Sequence, residues 1–116
     1  MQTNFTRGRE VEYLARDRLQ SQGYQVIRSA GSQSPVDLVT WQEHGHPLII
    51  QAKRTRAPIG HPRDVARLYH DDLEALRQIP KPYRADVQLW VWTEREGWRF
   101  FDVMPGGICE VMGNVA

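Results

Sequence analysis

Asp37 and, further along the chain, Gln51-Ala52-Lys53 are the residues whose types and spacing could do chemistry. The stretch from Leu48 to Arg56 reads Leu-Ile-Ile-Gln-Ala-Lys-Arg-Thr-Arg, an apolar strand that turns abruptly polar. Side chains alternate faces along a strand, so Gln51 and Lys53 project together while Ala52 points the other way. Asp37 interrupts a second apolar run, Val36-Asp37-Leu38-Val39, where a lone carboxylate is costly to bury without a partner. If the two strands pair, an acid, an amide oxygen and an ammonium converge at their ends. Such a set can hold a divalent cation beside a phosphate, the requirement of metal-assisted phosphodiester hydrolysis. Taken alone, Asp followed by Gln-x-Lys is a common chance pattern. Residue usage strengthens it: of 15 basic residues only Lys53 and Lys81 are lysines. A compact ammonium therefore stands at the one position where it differs chemically from the chain's default guanidinium.

The elements that must position these residues are legible from periodicity. Val11, Leu14, Ala15, Arg18 and Leu19 follow helical spacing and Gly23 is a natural stop, which predicts a first helix from about Gly8 to Gln22. Three strands are predicted next, Tyr24–Ser29, Val36–Gln42 and Leu48–Thr55, the last two joined by the polar turn Glu43-His44-Gly45-His46. Pro62 opens a second helix with Val65, Leu68, Tyr69, Leu73, Leu76 and Ile79 on one stripe, ending before Pro80 and Pro82. Two more strands, Val87–Thr93 and Trp98–Val103, flank Glu94-Arg95-Glu96-Gly97. The order αβββαββ predicts an α/β fold, a mixed β-sheet flanked by helices. Trp90 and Trp92 share one strand face and Val87, Leu89 and Val91 the other. That pattern fits a sheet covered on both faces, or else a subunit interface.

A chain of 116 residues is expected to form a single domain, 1–116. It has no apolar stretch of membrane-spanning length and no signal-peptide core, so no membrane partner is expected. Cys109 is the one cysteine, which excludes a disulfide framework and makes a reducing cytoplasm the natural setting. Net charge near +1 decides nothing about nucleic acid, but distribution does. Lys53, Arg54, Arg56, Arg63 and Arg67 face only Asp64, and Arg7, Arg9, Arg16, Arg18 and Arg28 lie in the first thirty residues, whereas acids gather at Asp71, Asp72 and Glu74. A segregated basic face suits phosphate contacts. The small-residue loop from Arg28 to Pro35 offers hydroxyls and backbone N–H groups to a phosphate, though Gly31 and Pro35 also explain it as an ordinary turn. Glu12 lies beside the buried stripe of the first helix, a position more often solvated than functional. His44, His46, His61 and His70 form no zinc motif and are expected to be solvated or capping.

Val26-Ile27-Arg28-Ser29-Ala30-Gly31-Ser32, then Val36-Asp37-Leu38-Val39, then Leu48-Ile49-Ile50-Gln51-Ala52-Lys53 resembles the archaeal-type Holliday junction resolvases of the PD-(D/E)xK nuclease superfamily. Gly8 with Glu12 stands at the spacing of that family's first helix, and Gly97-Trp98-Arg99-Phe100 is similar to its late strand. The likeness runs from about Arg7 to Val103, in order. It implies a restriction-endonuclease-like sheet and a homodimer that nicks branched DNA, a four-way junction, symmetrically with Mg²⁺, for which Mn²⁺ would substitute. Carried over by position, Glu12, Asp37 and Gln51 form the metal site with the Ala52 backbone carbonyl, and Lys53 completes the catalytic set. Arg28 and Ser32 hold the DNA strand, with Arg9, Arg54, Arg56, Arg63 and Arg67 as further DNA contacts. Two departures stand out: the family usually has Glu at position 51 and a basic residue at position 13, here Tyr13.

An amide oxygen can ligate Mg²⁺ but adds no charge, so weaker metal binding is expected, and Gln51→Glu is expected to tighten it. The Asp…Gln-x-Lys form also resembles Mrr-type restriction endonucleases, cleavers of duplex DNA that generally carry a separate recognition domain. A DNA-binding module with a degenerate metal site is the third reading. Dimer contacts are expected from Leu68, Tyr69, Leu73, Leu76 and the Trp90/Trp92 face.

Overall fold

The computed structural model describes residues 4–30 and 34–112, with side chains from Gly8 onward. Helix α1 (Asn4–Ser21) is followed by strands β1 (Gln25–Arg28), β2 (Leu38–Trp41) and β3 (Leu48–Thr55). Two short helices, α2 (Pro62–Leu68) and α3 (His70–Gln78), precede β4 (Asp86–Thr93), β5 (Gly97–Met104) and β6 (Gly107–Val111). The six strands form one sheet in sequence order, antiparallel except where β3 runs parallel to β4. A parallel pair cannot be joined by a tight turn, so α2 and α3 make the crossover.

The crossover places helices on opposite faces of the sheet. Val11, Ala15 and Leu19 of α1, one helical stripe, pack with Leu48, Ile50, Ala52, Trp90 and Phe100. On the other face Val65, Tyr69, Leu73 and Leu76 pack with Ile49, Val87, Leu89 and Phe101. Helix α1 stops as the glycine demands: Gly23 has φ +91°, its N–H donates to the Gln20 carbonyl, and the Tyr24 N–H reaches the Leu19 carbonyl. That pair of bonds closes the helix end, and φ > 0 is cheap only for glycine.

The structure corrects expectations in four places. The second helix is broken at Tyr69 (φ −113°, ψ 33°), a buried residue that closes α2 before α3 begins. A sixth strand follows the Pro105-Gly106 turn, giving αβββααβββ. The proposed dimer contacts Tyr69, Leu73, Leu76 and Trp90 are buried within one chain, Trp90 at 0% exposure among Trp98 and Phe100. The two-sided cover of the sheet consumes them. Leu14, expected in the α1 stripe, and Leu68, expected in the stripe of the second helix, are both exposed.

Candidate active site

Asp37 stands at the entry to β2, where its backbone ties three strands together. Its N–H donates to the Ile50 carbonyl (2.9 Å) and its own carbonyl accepts from the Ser29 N–H (2.8 Å). This fixes the side chain against the middle of β3, and its Oδ2 accepts from the Ala52 N–H at 2.8 Å. Burial pushes the Asp37 carboxyl up to about 6, with Glu12 and Asp72 adding repulsion and the Ala52 N–H and Lys53 opposing the rise. A carboxylate held at such a cost is the usual mark of a functional position.

Gln51 and Lys53 project from one face of β3, as alternation requires. Gln51 is 7% exposed, and its Oε1 is buried with no hydrogen-bond partner among the described residues. Its Nε2 donates to Asp72 Oδ1 (3.3 Å), which also pairs with Lys53 Nζ at 3.2 Å. From α1, Glu12 points into the same region. It is 18% exposed at the side chain and pairs with the Arg28 guanidinium at 3.0 Å. Arg28 in turn lies over the Tyr13 ring, 5.1 Å from its centroid, with Arg16 at 4.7 Å. The Tyr13 ring thus carries two arginines, each also paired with an acid, Arg28 with Glu12 and Arg16 with Asp17.

A cavity of about 530 Å³ gathers Glu12, Asp37, Gln51, Ala52, Lys53, Arg54 and Arg56 on its walls, with Gly8 and Val11. The orphaned Gln51 oxygen, beside two carboxylates, fits a hard cation that prefers oxygen donors. As arranged, with Glu12 held by Arg28, no group of three or more His, Cys, Asp or Glu among the described residues stands together at metal-binding spacing.

The rest of the basic set is more dispersed than the linear pattern suggests. Arg54 is held by Glu94 (2.9 Å) and Glu10 (3.9 Å), Arg67 by Asp64 (2.9 Å) and Lys53 by Asp72. The run from Lys53 to Arg67 is therefore not a bare positive stripe, because folding brings acids from α1, α3 and the β4–β5 turn beside it and Asp64 within it pairs with Arg67. Arg56 and Arg63 are exposed and make no side-chain ion pair among the described residues, and Arg9 is exposed on α1. Arg63 and Arg67 do not line the cavity. Ser32, Gly31 and the Arg7 side chain lie outside the described residues.

Asp72 is the functional candidate that the linear pattern missed. Grouped with Asp71 and Glu74 it looks like a solvated acidic cluster. Its position beside Leu73, on the flank of the stripe facing the sheet, was the available signal. The histidines behave as expected. His61 caps α2, its Nδ1 accepting from the Arg63 N–H while Asp64 accepts from the His61 N–H.

A family model described as restriction endonuclease, the Mrr-type catalytic domain, matches residues 4–76. That span runs from α1 through α3 and includes Glu12, Asp37, Gln51, Lys53 and Asp72. The chain belongs to this restriction endonuclease family. Among solved structures it is similar to Hjc of Archaeoglobus fulgidus, described as a Holliday junction resolvase from an archaeal hyperthermophile, at 23% identity and a TM-score of 0.62. The match covers 91% of this chain and 88% of that one. It shows the shared fold: the six-stranded mixed sheet flanked by helices is restriction-endonuclease-like. No curated protein matches the sequence. The domain is thus a nuclease of the PD-(D/E)xK type, as the sequence motifs imply. None of its described helices is long and apolar enough to cross a membrane.

Proposed function

We propose that this protein is a structure-selective endonuclease that resolves four-way DNA junctions by Mg²⁺-dependent phosphodiester hydrolysis. The observation that carries the reading is the buried, unpartnered Gln51 Oε1 in one cavity with Glu12, Asp37 and Lys53. Glu12, Asp37 and the Gln51 amide oxygen would hold the cation, the Ala52 carbonyl being a further candidate. When bound, the cation supplies Lewis-acid polarisation of the phosphoryl group and a more acidic water. The Ala52 N–H, by bonding Asp37, orients that carboxylate toward the cavity rather than along the strand. Lys53 stabilises negative charge that develops as the phosphodiester is displaced. Arg56, on the cavity wall, and Arg28, paired with Glu12, would draw the phosphate backbone toward the site.

The resolvase substrate is supported by a likeness that spans nearly all of both chains. Cutting a four-way junction on opposed strands requires two sites in fixed relation, which a two-fold dimer supplies. Ile27, Val39 and Trp41 suit such an interface: they are 57%, 39% and 39% exposed and share the face of β1–β2 that α2 and α3 leave uncovered. The family match favours a second reading, cleavage of ordinary duplex DNA. An immobile four-way junction and its linear arms, each incubated with Mg²⁺ and with EDTA, separate the two. The resolvase reading expects symmetric nicks in the junction alone, in Mg²⁺ alone. Equal cutting of the linear arms would establish the duplex reading, and retardation without cleavage a binding module.

A further inference from the structure

We propose that Asp72 is a positioning residue of this site, carrying on helix α3 the negative charge that strand position 51 lacks. The proposal rests on the reading of the cavity as a cation and phosphate site. One carboxylate oxygen, Asp72 Oδ1, meets donors from two residues of β3: Gln51 Nε2 at 3.3 Å and Lys53 Nζ at 3.2 Å. A carboxylate can only accept, so it selects the amide's NH₂ end and turns Oε1 away from itself. That oxygen is the buried, unpartnered one. Asp72 thereby decides which end of Gln51 is offered to a cation. The same contact holds the Lys53 ammonium beside it.

Gln51 and Asp72 are consequently a matched pair. A glutamate at position 51 would set an acceptor where Asp72 now meets a donor, so the hydrogen bond that holds the side chain would be lost. Gln51→Glu alone therefore does not tighten cation binding, contrary to the simplest reading of the sequence. Exchanging the partners, Gln51→Glu with Asp72→Asn, keeps net charge constant and restores a donor–acceptor pair with the charge moved onto the strand.

The test is calorimetric titration of the DNA-free protein with Ca²⁺ and Mn²⁺ across five proteins: wild type, Asp72→Ala, Gln51→Glu, the double exchange, and Asp37→Asn. Proton exchange of the Gln51 side-chain amide is read by NMR in metal-free wild type and Asp72→Ala. Expected are an affinity lower by about tenfold or more in Asp72→Ala, no gain in Gln51→Glu, and a gain in the double exchange. The Gln51 amide protons should exchange faster without Asp72. Asp72 is a partly exposed helix residue, and the charge-conserving exchange guards against loss of folding in the alanine variant. Wild-type affinity and amide exchange in Asp72→Ala, with Gln51→Glu tightening binding as much as the double exchange, would overturn the proposal while the site stands. Unchanged binding in Asp37→Asn would overturn both.

Discussion

Asp37 ionises against its surroundings. Burial raises its carboxyl to about 6 from the ordinary 3.8, and the acids Glu12 and Asp72 raise it further against the Ala52 N–H and Lys53. Because the folded value is the higher one, the native state keeps the proton across the window between them. Stability from the protonated form is full below about 3.8 and is lost as pH rises through about 6. In metal-free protein Asp37→Asn should therefore melt above wild type near neutral pH, the difference shrinking toward about pH 4. Asparagine retains an acceptor for the Ala52 N–H, so the bond itself is preserved. Lys53→Ala should lower the cleavage rate by about a hundredfold or more. Lys53→Arg should recover only part of it, since a planar fork does not fit where a compact ammonium meets Asp72 at 3.2 Å. Single-turnover cleavage assays check both. That Asp37, Gln51 and Lys53 share a cavity was legible in the sequence, because Asp37 interrupts one apolar run and Gln51 and Lys53 stand where another turns polar. Asp72 was not, because its partners lie on another element and only the α2–α3 crossover brings them together.

Helix α1 and strand β3 are the elements on which the site depends. Both were readable: β3 has its expected bounds, Leu48–Thr55, since an uninterrupted apolar run entering a polar turn has few other solutions. The end of α1 was readable from Gly23, whose φ of +91° faces open space. Gly23→Ala should consequently cost about 1 kcal/mol through backbone strain alone, measured by urea denaturation, with the cavity residues undisturbed. The break at Tyr69 was not readable. Its stripe is continuous in sequence, and the interruption is a backbone turn at Tyr69, whose side chain is buried against the sheet. Strand β6 was overlooked because its centre, Cys109-Glu110, is polar and exposed, so apolar alternation is weak. It is held instead by pairing with β5 and by Arg99, whose guanidinium meets both Glu110 oxygens at 2.8 Å. The Pro105-Gly106 turn was the signal for that hairpin.

At the scale of the whole molecule, the linear clustering of charge overstated the basic surface. Within the run from Lys53 to Arg67, acids from other elements pair with Lys53 and Arg54 and Asp64 of the same helix pairs with Arg67, leaving Arg56 and Arg63 as exposed cations without a side-chain ion pair among the described residues. Of the apolar residues nominated for a dimer surface, Tyr69, Leu73, Leu76 and Trp90 are consumed by the two-sided core, whereas Leu68 stays exposed. Ile27→Glu, on the exposed β1–β2 face, should leave the fold intact and convert a dimer to a monomer by light scattering, uncoupling the two nicks of a junction. The nuclease assignment itself hangs on Asp37, the residue that ties strands, cavity and charge together. Its decisive measurement is a paired gel, retardation and cleavage of a four-way junction by wild type and by Asp37→Asn in Mg²⁺. The variant should retard the junction as wild type does, because phosphate contacts dominate affinity, and should leave it uncut. Cleavage by Asp37→Asn at the wild-type rate would contradict the account.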